Sequence, residues 1–158
     1  MFSPLLFLGL FSCFDVDSKS SAPLNPEDIP SQEWYLSGKR IYEEKCIGCH
    51  KADGLGSKGV FPPLKGSPWL RREPALLASI LTRGLGGAIT VSEEVYRSAM
   101  PPQELSAEHT WEVIRYIRFE FAQDSKPVSL EEIQSVHQKG GGTIYGEAEL
   151  NEMFPPEK

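Results

Sequence analysis

The sequence predicts an all-α fold with three main helices and one short helix. Apolar residues recur at helical spacing around 73–83 and 106–123, and a third amphipathic segment begins near residue 32. Two of these segments begin with residues that commonly start helices. Pro74 falls in the first turn of one, and Ser106 is a suitable N-cap for another. Thirteen prolines and fourteen glycines among 158 residues indicate that loops make up much of the remainder.

The first helix spans about residues 32–46 and has one amphipathic face. One further turn carries it through His50. A loop follows, and we expect Gly54 or Gly56 to be the stop signal, because glycine readily adopts the left-handed backbone conformation that ends helices.

The remaining elements follow in chain order. A second helix is predicted over about 73–83, and residues 88–99 are predicted to form a loop or a short ribbon. The third helix runs over about 106–123 and has a wide apolar face. A capping box at Ser129–Glu132 starts a short helix that ends near residue 139, before three glycines and an acidic tail.

The net charge of −6 excludes one broad class of function. An acidic protein without a basic stripe is poorly suited to bind nucleic acid, so we expect no nucleic-acid partner. Residues 33–100 nevertheless carry ten Lys and Arg against seven Asp and Glu. This local basic excess surrounds the most specific motif of the chain.

The N-terminus resembles an export signal with a lipid-attachment site. Residues 4–11 form an apolar run that is too short to span a bilayer but is typical of a signal-peptide core. The run leads into Leu10–Cys13, which is similar to a bacterial lipobox, although the bulky Phe11 departs from that pattern. We expect residues 1–13 to be a signal peptide and the exported chain to be a lipoprotein on the periplasmic side, anchored to the membrane surface through Cys13. Ordinary cleavage without lipidation is the alternative.

Residues 14–32 are polar and contain several prolines, and we expect them to form a flexible tether. Such a tether would let the folded part of the chain move above a membrane.

The motif Cys46-Ile47-Gly48-Cys49-His50 is C-x-x-C-H, the signature of covalent c-type haem attachment. Two thiols three residues apart on one helical turn can each add to a haem vinyl group. The histidine directly after the second cysteine then lies under the ring, with its imidazole directed at the iron. Cys46 and Cys49 are therefore the predicted attachment residues, and His50 is the predicted first axial ligand.

Three other uses of these cysteines fit the sequence less well. A redox dithiol stands at a strand–helix junction, and no such pattern surrounds Cys46. A structural zinc needs four ligands, and beyond the motif the chain offers only Cys13 and two distant histidines, His109 and His137, which are better suited to helix surfaces. A plain disulfide would leave His50 without a role.

The sixth iron ligand must come from outside the motif, and Met100 is the candidate. The other methionines are Met1, in the predicted signal, and Met153, near the acidic end. Pro101 and Pro102 follow Met100 and stiffen the chain at this point. Thioether sulfur favours Fe(II), so a His/Met pair raises the reduction potential relative to a His/His pair. Core packing is the alternative role for this residue.

These features together resemble class I cytochrome c: an N-terminal helix, the C-x-x-C-H motif, a proline-containing loop, Met-Pro and an aromatic C-terminal helix. Residues 61–69 and 89–102 are similar to those of periplasmic bacterial members that serve oxidases, nitrite reductases and quinoprotein dehydrogenases. The resemblance covers about residues 34–121. It implies a cytochrome c fold around a single covalently bound haem c, with residues 33–123 as the domain and 124–158 as a C-terminal extension.

The resemblance also implies roles for residues near the haem. A proline carbonyl in the first loop accepts the Nδ1–H of the axial histidine, and Pro62 matches it, with Pro63 as the second candidate; a rigid turn is the alternative role. Trp69 is expected to donate its indole N–H to a haem propionate, with core packing as the alternative. The family crosses its first and last helices at a glycine–aromatic contact, which Gly38 and Tyr116 match.

The function implied by the resemblance is one-electron transfer between periplasmic or membrane redox partners, such as an oxidase, a reductase or a dehydrogenase. With both axial positions filled, no site remains for a substrate, so we do not expect an enzyme. Lysines and arginines near the motif and the first loop would steer an acidic partner: Lys51, Lys58, Lys65, Arg71 and Arg72. The alternatives are a haem-bearing subunit of a dehydrogenase or reductase complex and, less favoured, a haem sensor with an open sixth position.

Overall fold

The architecture comes from a computed structural model, which describes residues 32–156 except 141 and 143. The predicted signal peptide with Cys13, and the predicted tether up to residue 31, lie outside the described residues. The described part is mostly helical, as predicted. Its elements in chain order are α1 (Glu33–Lys45), α2 (Ile47–His50), a 3₁₀ helix (Pro68–Arg71), α3 (Pro74–Arg83), β1 (Ile89–Val91), β2 (Glu94–Tyr96), α4 (Ala107–Ala122), α5 (Leu130–Gln138) and α6 (Glu147–Met153).

The three main helices and the short helix predicted from the sequence correspond to α1, α3, α4 and α5. Their starts use the predicted signals. The Ser106 hydroxyl accepts a hydrogen bond from the His109 N–H at 3.2 Å, and the Ser129 hydroxyl accepts one from the Glu132 N–H at 3.3 Å. Pro74 occupies the first position of α3, where its missing N–H costs no helical hydrogen bond.

The first helix ends differently from the prediction. It bends at Cys46, continues as the single turn of α2 and stops at Lys51, which has a left-handed φ of 64°. The Tyr42 hydroxyl donates a 2.6 Å hydrogen bond to the Lys51 carbonyl and so holds this conformation, which is uncommon for a residue with a side chain. The stop is therefore Lys51, not Gly54 or Gly56.

The C-terminal extension contains more structure than the predicted short helix and acidic tail. Part of that tail forms α6, whose Leu150 side chain is fully buried. Helix α5 packs against α3 and α4 and buries Ile133 completely. Glu149 and Glu152 of α6 are exposed to solvent, which is why the composition alone indicated a tail.

Helices α1 and α4 form the most extensive helix pair of the described fold. They approach each other at Gly38, where an added Cβ would lie 2.5 Å from the Glu112 carbonyl oxygen and 2.7 Å from Tyr116 Cβ. The Gly38–Tyr116 contact is therefore confirmed. Tyr42 and Phe121 extend the contact, with ring centroids 5.1 Å apart.

Residues 88–99 form the short ribbon alternative of the prediction. Strands β1 and β2 pair antiparallel, with Ile89 opposite Tyr96 and Val91 opposite Glu94. The two residues of the turn, Ser92 and Glu93, both have positive φ, as a tight hairpin requires. Within the described residues, no helix combines the length and apolar character needed to cross a membrane.

Candidate haem-binding site

The two motif cysteines lie at the junction of α1 and α2 and differ in exposure. Cys46 is buried and Cys49 is exposed. Burial, with a smaller contribution from Cys49, raises the pKa of the Cys46 thiol to about 11. The redox-dithiol alternative is disfavoured by the setting of the motif, which lies between two helices and not at a strand–helix junction.

His50 ends α2 and is 9% exposed. Its Nδ1 lies 3.0 Å from the carbonyl oxygen of Pro62. Because a carbonyl can only accept, Nδ1 must carry the proton, which leaves the Nε2 lone pair available for a metal. Burial lowers the pKa of His50, and the bond to Pro62 acts in the opposite direction. The ring is thus held neutral and in the tautomer that an axial ligand requires.

The loop after α2 is folded so that the Pro62 carbonyl returns to His50. Gly54 and Gly56 both have left-handed φ angles, and the Gly56 N–H donates to the His50 carbonyl at 3.0 Å. A Cβ on Gly56 would collide with the Phe61 carbonyl oxygen and would lie 2.7 Å from that of Pro62. Sequence reasoning treated Gly56 only as a helix stop. Its main structural role is to allow this close approach.

Met100 reaches the site from the segment that leads from the ribbon to α4. Its N–H donates to the Leu85 carbonyl at 2.7 Å, and its own carbonyl accepts from the Leu85 N–H at 2.9 Å. Gly84, with φ 84°, clears the Met100 carbonyl, from which an added Cβ would be only 2.7 Å distant. The backbone of Met100 is therefore fixed on both sides of the residue.

These side chains surround two adjoining cavities of about 90 and about 210 Å³. Cys46, His50, Pro62, Leu85 and Met100 line both. The smaller cavity has further, mainly apolar, walls: Pro63, Leu64, Ser67, Trp69, Leu70, Leu77, Ile80, Leu81, Val91, Val113 and Ile117. Cys49 lines only the larger one. A slot lined by an imidazole, a thioether, two thiols and otherwise mainly apolar side chains fits an iron porphyrin attached through thioethers.

Trp69 lines the smaller cavity, but its indole N–H donates to the Thr90 carbonyl at 3.0 Å. The propionate bond expected for Trp69 would require this indole N–H to leave the Thr90 carbonyl, and it stays a prediction. The partly buried ring also packs against the core, as in the packing alternative. His109 and His137 line neither cavity; His137 Nε2 instead lies 3.0 Å from the Thr110 hydroxyl.

A larger cleft, of about 550 Å³, lies between the 3₁₀ helix, the end of α4 and the C-terminal extension. Its walls include several arginines and prolines and none of Cys46, Cys49, His50 or Met100. Size alone therefore does not identify the haem site. The chemistry of the donors does.

The fold and the donor set together define a c-type haem protein with a single attachment motif. The cytochrome c family profile matches residues 35–119, which is more than half of the chain. The chain belongs to the cytochrome c family. Its cofactor is haem c, bound covalently and containing iron, and membership indicates haem-based electron transfer.

Two kinds of relatives resemble the chain. It is 31% identical to cytochrome c-552 of Thermus thermophilus over 112 residues, which cover 65% of this chain and 85% of that protein. It is 32% identical over 87 residues to "Alcohol dehydrogenase (quinone), cytochrome c subunit" of Gluconacetobacter polyoxogenes, covering 52% of this chain and 18% of that protein. The subunit of the same name from Gluconobacter oxydans is 27% identical over 109 residues, 22% of its length. The chain thus spans about a fifth of these dehydrogenase subunits.

The loop geometry leads to a test of how His50 is held. Gly56→Ala should move the Pro62 carbonyl away from Nδ1, making His50 a weaker donor to Fe(III) and raising the reduction potential. The collision should also cost about 1–3 kcal/mol of unfolding free energy, beyond the backbone strain. Voltammetry and chemical denaturation measure the two effects.

Gly59→Ala is the matched control for this change. Gly59 stands in the same loop with φ 73°, and a Cβ there meets nothing within 4 Å. Both variants carry the cost of a left-handed alanine, about 1–2 kcal/mol. Equal stability and equal potential in the two variants would contradict the role assigned to Gly56.

Proposed function

We propose that this protein carries single electrons between redox proteins on the periplasmic side of a membrane, with its haem iron held by His50 and Met100. The observation that carries the proposal is that these two side chains line the same two cavities although they come from separate elements. No other His or Met side chain lines either cavity. The backbone of Met100 is paired with that of Leu85 by two hydrogen bonds, which gives the thioether a defined position.

The protein's residues set the conditions for electron transfer. Haem c, when bound, supplies an iron that changes its oxidation state by one electron. Cys46 and Cys49 hold the ring covalently, and the Pro62 carbonyl orients His50 and strengthens it as a donor. The Met100 thioether favours Fe(II). The apolar walls restrict solvent access, which is one of the means by which a protein sets a redox potential.

Filled axial positions favour a carrier over an enzyme or a sensor. A peroxidase or a gas sensor needs a vacant or labile sixth position, whereas here a protein side chain would occupy it. The exposed Cys49 edge gives electrons a route to the haem that does not require a substrate pocket.

The exposed charges near this edge favour an acidic partner. Lys45 lines the larger cavity, and Lys51, Lys58 and Lys65 are exposed on the following loop. Arg71 and Arg72 were also expected to contribute; they donate hydrogen bonds within the protein, Arg71 to the Ala122 carbonyl and Arg72 to the Asn151 side chain. Both acceptors are neutral, so the two guanidinium charges remain part of the proposed steering surface together with the lysines. Encounters of this kind bury a small interface, are weak and are sensitive to salt.

The second candidate function is that of a haem-bearing subunit in a dehydrogenase or reductase complex. It is supported by the named dehydrogenase subunits among the relatives. A carrier should elute alone when solubilised from its native membrane. A subunit should elute with a larger dehydrogenase at constant stoichiometry.

The wild-type holoprotein tests the carrier proposal. Voltammetry should give a reversible one-electron wave, and the ferrous protein should not bind carbon monoxide, because a side chain occupies the sixth position. The absorption spectrum under carbon monoxide is the measurement. Rapid binding by the native protein would favour a sensor instead.

Met100→Ala tests the ligand. The ferric wild type should show the weak long-wavelength charge-transfer band of methionine-ligated haem, and the variant should lose the band, have a lower potential and bind carbon monoxide when ferrous. Met153→Ala is the control, since Met153 is exposed at the end of α6 and lines neither cavity. An unchanged spectrum in Met100→Ala would refute the assignment and turn attention to His109 or His137.

The proposed location depends on Cys13. It is the one cysteine that haem attachment does not use, and it directly follows a short apolar run. A diacylated, N-acylated cysteine would hold the protein firmly, whereas a single chain holds it only marginally. The mature protein should begin at Cys13 and fractionate with membranes until detergent is added, and Cys13→Ser should release it or remain uncleaved. A mature N-terminus at or beyond Phe14, found by mass spectrometry in a soluble wild type, would end this proposal and leave the haem assignment intact.

A further inference from the structure

The C-terminal extension contributes a backbone segment that pairs with residues 84–86, the segment to which the backbone of Met100 is hydrogen-bonded. Residues 84–86 lie between two neighbours. On one side, Leu85 exchanges two hydrogen bonds with Met100, of 2.7 and 2.9 Å. On the other side, the Gly86 N–H donates to the Tyr145 carbonyl at 2.8 Å, and the Tyr145 N–H donates to the Gly84 carbonyl at 3.3 Å. The order across this small ladder is Tyr145, Leu85, Met100.

The middle segment of the ladder is poorly suited to hold its position alone. Two of its three residues, Gly84 and Gly86, are glycines, and Gly87 follows directly; glycine loses the most conformational freedom on folding. Gly84 must also keep its left-handed conformation to clear the Met100 carbonyl. Pairing along both edges restrains such a segment, and loss of one edge would leave two of the four ladder hydrogen bonds unmade.

Tyr145 is itself firmly held. It is 5% exposed, its ring centroid lies 4.1 Å from the Arg83 guanidinium carbon, and its hydroxyl accepts a hydrogen bond from Arg83. Arg83 is the last residue of α3, directly before Gly84. The side chain of Tyr145 therefore contacts the residue directly before the segment with which its backbone pairs.

The neighbouring parts of the extension fix the position of this segment in the chain. Before it, α5 buries Ile133, and after it, α6 buries Leu150. The Glu147 carboxylate also accepts a 2.8 Å hydrogen bond from the Thr90 N–H of the ribbon. Tyr145 thus lies between two anchored helices.

We propose that Tyr145 is a positioning residue for Met100: by pairing with residues 84–86, it keeps the Leu85–Met100 pair in place and so holds the thioether on the iron. This inference rests on the proposed ligation by Met100. It assigns the C-terminal extension a role in the redox site, and the observable consequence is resistance of the Met100 position to competing ligands.

Imidazole competition on the ferric holoprotein measures this resistance. Imidazole can bind the iron only when Met100 dissociates from it. Weaker pairing in the ladder therefore lowers the apparent Kd of imidazole. Tyr145→Ala should lower it about fivefold, which corresponds to the net contribution of about one hydrogen bond. Tyr145→Phe retains the ring and the backbone pairing and should stay close to the wild type. Loss of the charge-transfer band on heating should precede global unfolding in Tyr145→Ala.

Leu150→Ala is the matched control, because it also removes a large buried side chain from the extension but lies outside the ladder. Because Leu150 anchors α6 but makes none of the ladder hydrogen bonds, this change should lower global stability while lowering the imidazole Kd less than Tyr145→Ala does. If Tyr145→Ala yields no folded holoprotein, Arg83→Gln is the substitute, because it removes the guanidinium that contacts the Tyr145 ring. It should lower the Kd of imidazole about twofold.

Each outcome separates the two proposals. If the wild type shows the methionine band but the Tyr145 and Arg83 variants bind imidazole with unchanged affinity, the inference is overturned and the ligand assignment stands. The inference is likewise overturned if Leu150→Ala lowers the Kd as much as Tyr145→Ala, because general destabilisation then accounts for the effect. If the wild type lacks the band, Met100 is not the ligand and both proposals fail.

Discussion

The close approach of α1 and α4 at Gly38 is the constraint on which the haem site depends. With no side chain at residue 38, the two helix backbones nearly touch, so the end of α1 is fixed relative to α4. That end carries Cys46 and, one turn later, His50, while α4 supplies Val113 and Ile117 to the cavity wall opposite. Separation of the helices would move the attachment residues away from the wall that completes the slot. A backbone contact outside the cavity walls thus helps to determine the shape of the site.

Beyond this contact, both candidate axial residues depend on backbone conformations that side chains disfavour. The His50 side is folded through Lys51, Gly54 and Gly56, all with positive φ, which return the Pro62 carbonyl to the imidazole. The Met100 side depends on Gly84. Positive φ costs little for glycine and more for other residues. Glycine-rich loops therefore do not indicate a loosely built site here, since they are what allows two distant segments to approach the same cavity.

The sequence predicted the features that depend on local chemistry. The motif Cys46–His50, the caps at Ser106 and Ser129 and the amphipathic faces of α3 and α4 depend on residues a few positions apart, and each was found where it was predicted. The Gly38 contact is long-range, but the resemblance to class I cytochrome c supplied it.

The features that the sequence did not predict depend on contacts between distant residues. Lys51 can end α2 because the Tyr42 hydroxyl holds its carbonyl, and no local signal at a lysine indicates this. Trp69 donates to Thr90 in the ribbon, and Tyr145 pairs with a segment about sixty positions away. Helix α6 has an acidic surface that resembles a tail, and its one deeply buried residue, Leu150, finds its partners only in the folded domain.

The different exposure of the two cysteines also arises from contacts between distant residues. Tertiary packing buries Cys46 and leaves Cys49 exposed, although both line the larger cavity. The C-terminal extension meets a different part of the fold, since the backbone of Tyr145 pairs with residues 84–86, which in turn pair with Met100. The exposed end of the motif and the backbone pairing beside Met100 are therefore built from different parts of the chain.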